Sequence, residues 1–193
     1  MDKITDRRVR KTKAALRGAL VKLMEKKSIQ EISVKELCEK CDINRSTFYL
    51  HYTDVYNLLQ MIEKEMLLEL NAVLEDFELP KNKPQASPSP IMCKIFKFLA
   101  SNADMCRVLL CNNGDMAFVE EVKGIVRIKF MSEWQGRINS SANEQTEYVY
   151  TFIISGCIGI LQEWLRRGMP KSADEMAQIV EKILVSGVAS LSF

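Results

Sequence analysis

The stretch S-V-K-E-L-C-E-K-C-D-I-N-R-S-T-F-Y-L-H-Y, residues 33–52, decides the fold. Ser33 followed by Glu36 has the spacing of a capping box, in which each side chain satisfies a backbone N–H of the other. That spacing predicts a short helix from Val34 to about Lys40, with Val34, Leu37 and Cys38 on its apolar side. Asp42-Ile43-Asn44 breaks the run. Asn44 is a good N-cap for a further short helix, Arg45 to about His51, and Ile43 is placed to plug the angle between the two. Two helices of about two turns each, joined by about four residues, make a helix-turn-helix.

The second of these helices has the composition that groove reading needs. Arg45, Ser46 and Thr47 stand in its first turn, where side chains reach base edges and free backbone N–H groups face phosphate. Tyr49 and His51 add a hydroxyl and an imidazole for the DNA backbone, while Phe48 and Tyr52 are spaced to anchor the helix. For His51, the only histidine, a packed or phosphate-facing ring is the expectation rather than a catalytic one, because no nucleophile pairs with it.

Upstream, Thr5 is a candidate cap for a helix carrying Val9, Leu16, Ala19, Leu20 and Leu23 at three- and four-residue spacing, with basic residues on the other face. Lys26, Lys27 and Ser28 suit its exit. Residues 1–52 hold 13 Lys/Arg against 7 Asp/Glu, a balance of +6, whereas residues 53–193 hold 14 against 18, a balance of −4. The net +2 therefore hides a basic first module, as a polyanion partner requires, and a mildly acidic second one.

Residues 33–52, with T-F-Y-L-H-Y their most specific part, resemble the helix-turn-helix signature of TetR/AcrR-type transcriptional regulators. The resemblance implies an all-α chain with a three-helix DNA-binding domain over residues 1–53. A helical effector-binding and dimerisation domain would fill residues 54–193. It puts Lys35, Arg45, Ser46, Thr47, Tyr49 and His51 at DNA-facing positions and Tyr52 at the aromatic position closing the motif. Members often carry Lys at the start of the fourth helix, where this chain has Thr53-Asp54-Val55-Tyr56; Cys41 stands where a small Ala is usual.

Downstream, Thr53 is a candidate cap for a long helix from Asp54 to about Phe77, spanning ~36 Å. Glu78 to Pro90 holds four of the five prolines and reads as a loop. Three further helices follow: one with Ile91, Ile95, Phe96 and Leu99, one with Cys106, Val108, Leu109 and Leu110, and one with Met116, Val119, Val122, Val126, Met131 and Trp134, capped by Asp115. Asn143 then opens a helix to Arg167, ended by Gly168 and Pro170. Ser172 and Glu175 make a second capping box for the last helix. The penultimate helix is apolar nearly all round and carries Ser155, Gly156 and Gly159, which let another helix approach closely. The last two helices are therefore expected to pair with their copies in a second subunit as a four-helix bundle. Residues 150–169 also resemble the C-terminal domain described as the Firmicutes type within the same family, which implies a homodimer and a ligand-receiving interior.

Composition narrows the functions. With 47% apolar and 27% charged residues the chain is neither disordered nor a disulfide scaffold. The longest uncharged stretch, Tyr148 to Gln162, falls short of the ~20 apolar residues of a membrane span, and no secretory leader is visible, so a cytoplasmic protein is expected. Six cysteines read as small hydrophobes, and Cys38 and Cys41 lack the partners a zinc site needs. There is no Gly-rich phosphate loop and no cofactor motif, so an enzyme is disfavoured. The expected function is a dimeric, ligand-responsive repressor of a double-stranded DNA operator, its small-molecule or protein effector unidentified. A protein-binding transcriptional adaptor or coactivator on the same scaffold is the alternative, and effector-binding residues cannot be assigned from the methionines and aromatics alone.

Overall fold

The computed structural model describes residues 3–75, 89–111, 115–135 and 144–189. Among these the fold is all-α, without a strand. Its helices are α1 (Lys3–Met24), α2 (Val34–Cys41), α3 (Arg45–Tyr49), α4 (Val55–Glu75), α5 (Ser89–Ser101), α6 (Ala103–Leu110), α7 (Met116–Gln135), α8 (Glu144–Arg166) and α9 (Ala173–Ala189), with a 3-10 turn at Ile29–Glu31. No helix among the described residues is long and apolar enough to cross a membrane. The chain divides into two compact units, Met1–Met66 and Leu67–Phe193, so the division falls inside α4.

In the first unit, Leu16, Ala19, Leu20 and Leu23 of α1 are buried, as are Leu37 and Cys38 of α2, Phe48 of α3, and Val55, Leu58, Leu59, Ile62 and Met66 of α4. The helices are bounded by side chains chosen for the purpose. Ser33 Oγ accepts from the Glu36 N–H at 3.2 Å, which is half of the expected capping box. The Glu36 carboxylate instead takes the Lys27 ammonium at 2.6 Å, because a charged donor binds it more strongly than a neutral backbone N–H. Asp42 closes α2 in the left-handed region (φ 54°), and the Ile43 N–H reaches back to the Cys38 carbonyl at 3.0 Å.

Two expected caps move. α1 already starts at Lys3, ahead of Thr5, since no Pro or Gly interrupts the first residues. The cap of α4 is Asp54, not Thr53: its Oδ1 accepts from the Asn57 N–H at 2.7 Å, while Asn57 Oδ1 accepts from the Thr53 N–H at 3.3 Å. A carboxylate outperforms a hydroxyl there because it also faces the positive end of the helix dipole. α3 ends at Tyr49, two residues short of the expected His51, although the next residues keep helical hydrogen bonds.

The second unit buries Phe96 of α5 edge-on against Trp164 of α8 at 5.2 Å between ring centres. The Trp164 indole N–H donates to the Lys171 carbonyl at 2.9 Å, and Lys97 of α5 pairs with Asp174 of α9 at 2.8 Å. Asp115 caps α7 through the Ala117 and Phe118 N–H groups, as its position implied. Ser172 and Glu175 form the complete reciprocal box of α9, and those hydrogen bonds hold the Glu175 carboxyl below its usual range. α8 ends with Gly168 (φ 76°) and Met169 (φ 58°) both left-handed, the Met169 N–H reaching the Trp164 carbonyl at 2.9 Å. Met116 departs from its expected place on the apolar stripe of α7 and is exposed, being the first residue of the helix and beyond the core. Of the expected loop Glu78 to Pro90, residues 78–88, like the cap Asn143 and the side chains of Met131 and Trp134, lie outside the described residues, whereas Ser89 and Pro90 are already helical. α5 takes Pro90 into its first turn, where a missing N–H costs nothing.

Asp42 is the strained link of the first unit. Asp42→Gly should raise the stability of the chain by about 0.5–1 kcal/mol, and Asp42→Val should lower it by about 1–2 kcal/mol, as thermal unfolding would register.

Candidate nucleic-acid interface

α3 has five residues, too few to hold a helix in water, so its neighbours must fix it. Asn44 does so at the start, its Oδ1 accepting from the Ser46 N–H at 2.9 Å and the Ser46 hydroxyl at 3.0 Å. Phe48 does so in the middle: it is wholly buried, with the Tyr49 ring edge-on at 5.5 Å and the Tyr52 ring at 5.7 Å. Burial pushes the Tyr52 phenol above its ordinary value, so it stays neutral.

With Phe48 fixed inward, the rest of the helix has no freedom of rotation. At ~100° per residue, Arg45, Tyr49, Ser46 and Leu50 share one sector of about 140°, and these four are the exposed ones. Thr47 and His51 fall together on a half-buried flank. Lys35 is exposed on α2, loosely paired with Glu39 at 3.9 Å. The turn leaves a concavity lined by Lys35 and Arg45 together with the acidic residues Glu39 and Asp42. The Cys38 thiol is raised by burial and only partly lowered by the Arg45 guanidinium nearby. Cys41 is raised likewise, so both thiols are protonated at neutral pH and poor nucleophiles. None of the six cysteines is in a disulfide, and no group of three His, Cys, Asp or Glu is placed to hold a metal ion among the described residues.

The structure thus puts Arg45, Ser46 and Tyr49 of the expected residues on one outward face, with Lys35 exposed on the preceding helix and Thr47 and His51 set back. Leu50, 80% exposed, joins that face, although in the sequence it reads as one more apolar residue of the motif. Its spacing from Ser46 was the available signal, once Phe48 is taken as the inward residue.

Residues 86–186 match the family model described as the transcriptional regulator C-terminal region of the TetR_C_8 type, which covers more than half of the chain. The chain belongs to the TetR family of transcriptional regulators. Solved relatives have the same fold over nearly their whole length. A TetR transcriptional regulator from Streptococcus agalactiae 2603V is 19% identical with a TM-score of 0.63, covering 94% of this chain and 97% of that one. A TetR-like regulator from Rhodococcus sp. RHA1 is 18% identical with a TM-score of 0.66, covering 91% and 94%. A curated relative, the uncharacterized HTH-type transcriptional regulator YxbF of Bacillus subtilis, is 32% identical over 63 residues. That stretch is 33% of this chain and 17% of the relative, so the match spans well under two thirds of the relative's length.

The anchor of this TetR-family helix is separable from its outward face. Phe48→Ala should cost about 3–5 kcal/mol of stability. Tyr49→Ala, which loses only one edge-on ring contact, should cost no more than about 1 kcal/mol in the same denaturation series.

Proposed function

We propose that this regulator is a sequence-specific DNA-binding repressor that acts as a homodimer and releases its operator when an effector binds. The observation that carries the DNA-binding part is the outward face of α3, where Arg45, Ser46 and Tyr49 stand exposed on a helix fixed by a buried Phe48. Arg45 reads a base edge, Ser46 and Thr47 stand beside it, and Lys35, Tyr49 and His51 hold the sugar-phosphate backbone. Residues 1–53 form the DNA-binding module, and residues 54–193 receive the effector and make the dimer. The protein is not an enzyme, needs no cofactor, and works in the cytoplasm with DNA.

The dimer part rests on α8. Tyr150, Cys157, Trp164 and Leu165 are buried, and burial pushes the Cys157 thiol up to about 11. Opposite them, Tyr148, Thr151, Phe152, Ser155, Gly156 and Gly159 form one exposed stripe, with Phe152 80% exposed. A second copy of α8 covers that stripe. Two α3 helices then meet successive major-groove faces ~34 Å apart, and an effector acts by moving α4, which runs through both compact units.

Arg45→Ala should cost ~1–3 kcal/mol on the selected operator and relax preference at one base pair. Lys35→Ala should weaken all sequences alike and shallow the salt dependence. Equal losses on operator and random DNA for Arg45→Ala would remove Arg45 from base reading, and binding indifferent to salt would remove the phosphate contacts.

A Cβ added at Gly159 meets nothing within 4 Å in the single chain, so Gly159→Leu should leave the fold intact. It should block close helix approach and yield monomers with weak half-site binding, read by sedimentation alongside circular dichroism. A wild-type protein that sediments as a monomer at micromolar concentration ends the dimer reading.

A further inference from the structure

Leu50 is the one purely apolar side chain on the outward sector of α3. It is 80% exposed, more than any other large hydrophobic among the described residues of the first unit, and it keeps helical backbone (φ −71°, ψ −19°) with its N–H on the Ser46 carbonyl at 3.2 Å. A single exposed leucine on a protein surface is ordinary. What distinguishes this one is its place: it sits one helical turn from Ser46 and beside Tyr49, within the ~140° that α3 turns outward.

Resting on the DNA-binding reading above, the geometry points to Leu50 as a specificity residue that recognises the C5 methyl group of a thymine in the major groove. The argument is one of elimination by chemistry. Guanine offers two acceptors in that groove, adenine an acceptor and a donor, and cytosine a donor; thymine alone adds an apolar group. A leucine pressed on any polar edge strips water from it and returns no hydrogen bond, which disfavours that base. Against the thymine methyl the same side chain buries apolar surface on both partners. Leu50 therefore selects for thymine and against the other bases at once, at the position next to the one that Ser46 and Arg45 face.

The test uses the full-length wild-type protein and an operator selected from random DNA. Each thymine is replaced in turn by uracil, which lacks only the methyl group. At one thymine position the wild type should lose about fourfold in affinity, the equivalent of one buried methyl. Leu50→Ala should bind the thymine operator several-fold more weakly and be indifferent to uracil at that same position, with its thermal unfolding unchanged. Leu50→Ala that loses affinity yet keeps the full uracil effect at every position overturns the assignment, because the methyl is then read by another residue. Leu50→Ala with unaltered operator binding also overturns it and points to a solvated or protein-facing side chain. A wild type that selects no DNA overturns both this inference and the DNA-binding reading, whereas selective binding with no uracil effect overturns this inference alone.

Discussion

The inward lock of Phe48 is the constraint on which the rest of the first unit depends. A helix of five residues has almost no stability of its own, so the orientation of α3 is inherited from the core that holds one of its side chains. Because successive residues turn by ~100°, fixing Phe48 fixes the direction of every neighbour. Arg45, Ser46, Tyr49 and Leu50 must face out, and Thr47 and His51 must lie at the edge. The buried aromatic pair Phe48 and Tyr52 therefore shapes the candidate interface as much as the residues that face outward.

Electrostatics around this lock serve structure first. The Lys27–Glu36 pair is partly shielded and joins the exit of α1 to the first turn of α2, taking Glu36 away from the cap it was placed to complete. At the start of α4 the chain has Asp54, a strong cap that suits the positive helix end. A lysine there would attract phosphate but would sit badly with the same dipole. This chain favours the helix start, so under the proposed DNA-binding function phosphate attraction falls to the exposed cations of α1 and α2, among them Arg7, Arg8, Arg10, Lys11 and Lys35.

Most of the fold was legible in the sequence because its boundaries are set by local chemistry. Ser33, Asn44, Asp115 and Ser172 cap the helices they precede, and Gly168 ends α8. Local chemistry failed where two candidates stood side by side, as with Thr53 and Asp54, or where a distant partner intervened, as Lys27 did for Glu36. For the candidate site, residue type pointed to the polar members of α3 but could not rank them by exposure. That ranking depends on which side chain the core takes, and it brought out Leu50 while setting Thr47 and His51 back. The apolar character of α8 was also plain, but whether its own chain covers that helix all round is a tertiary fact.

Glycine in the middle of a helix costs roughly 0.5–1 kcal/mol relative to alanine. A helix that accepts two of them within four residues normally has a close neighbour that a Cβ would strike. Gly156 and Gly159 have none within the single chain: a Cβ at either position meets no atom within 4 Å. The cost is therefore not explained by packing inside the single chain. Both glycines lie on the same side of α8 as the exposed rings of Tyr148 and Phe152, opposite the buried Cys157 and Trp164. A flat, small-residue centre flanked by large apolar side chains is a surface that a second helix can approach closely along its length, with the rings packing outside the point of contact. In the proposed dimer a copy of the same helix lies on this surface and meets it with the same shape.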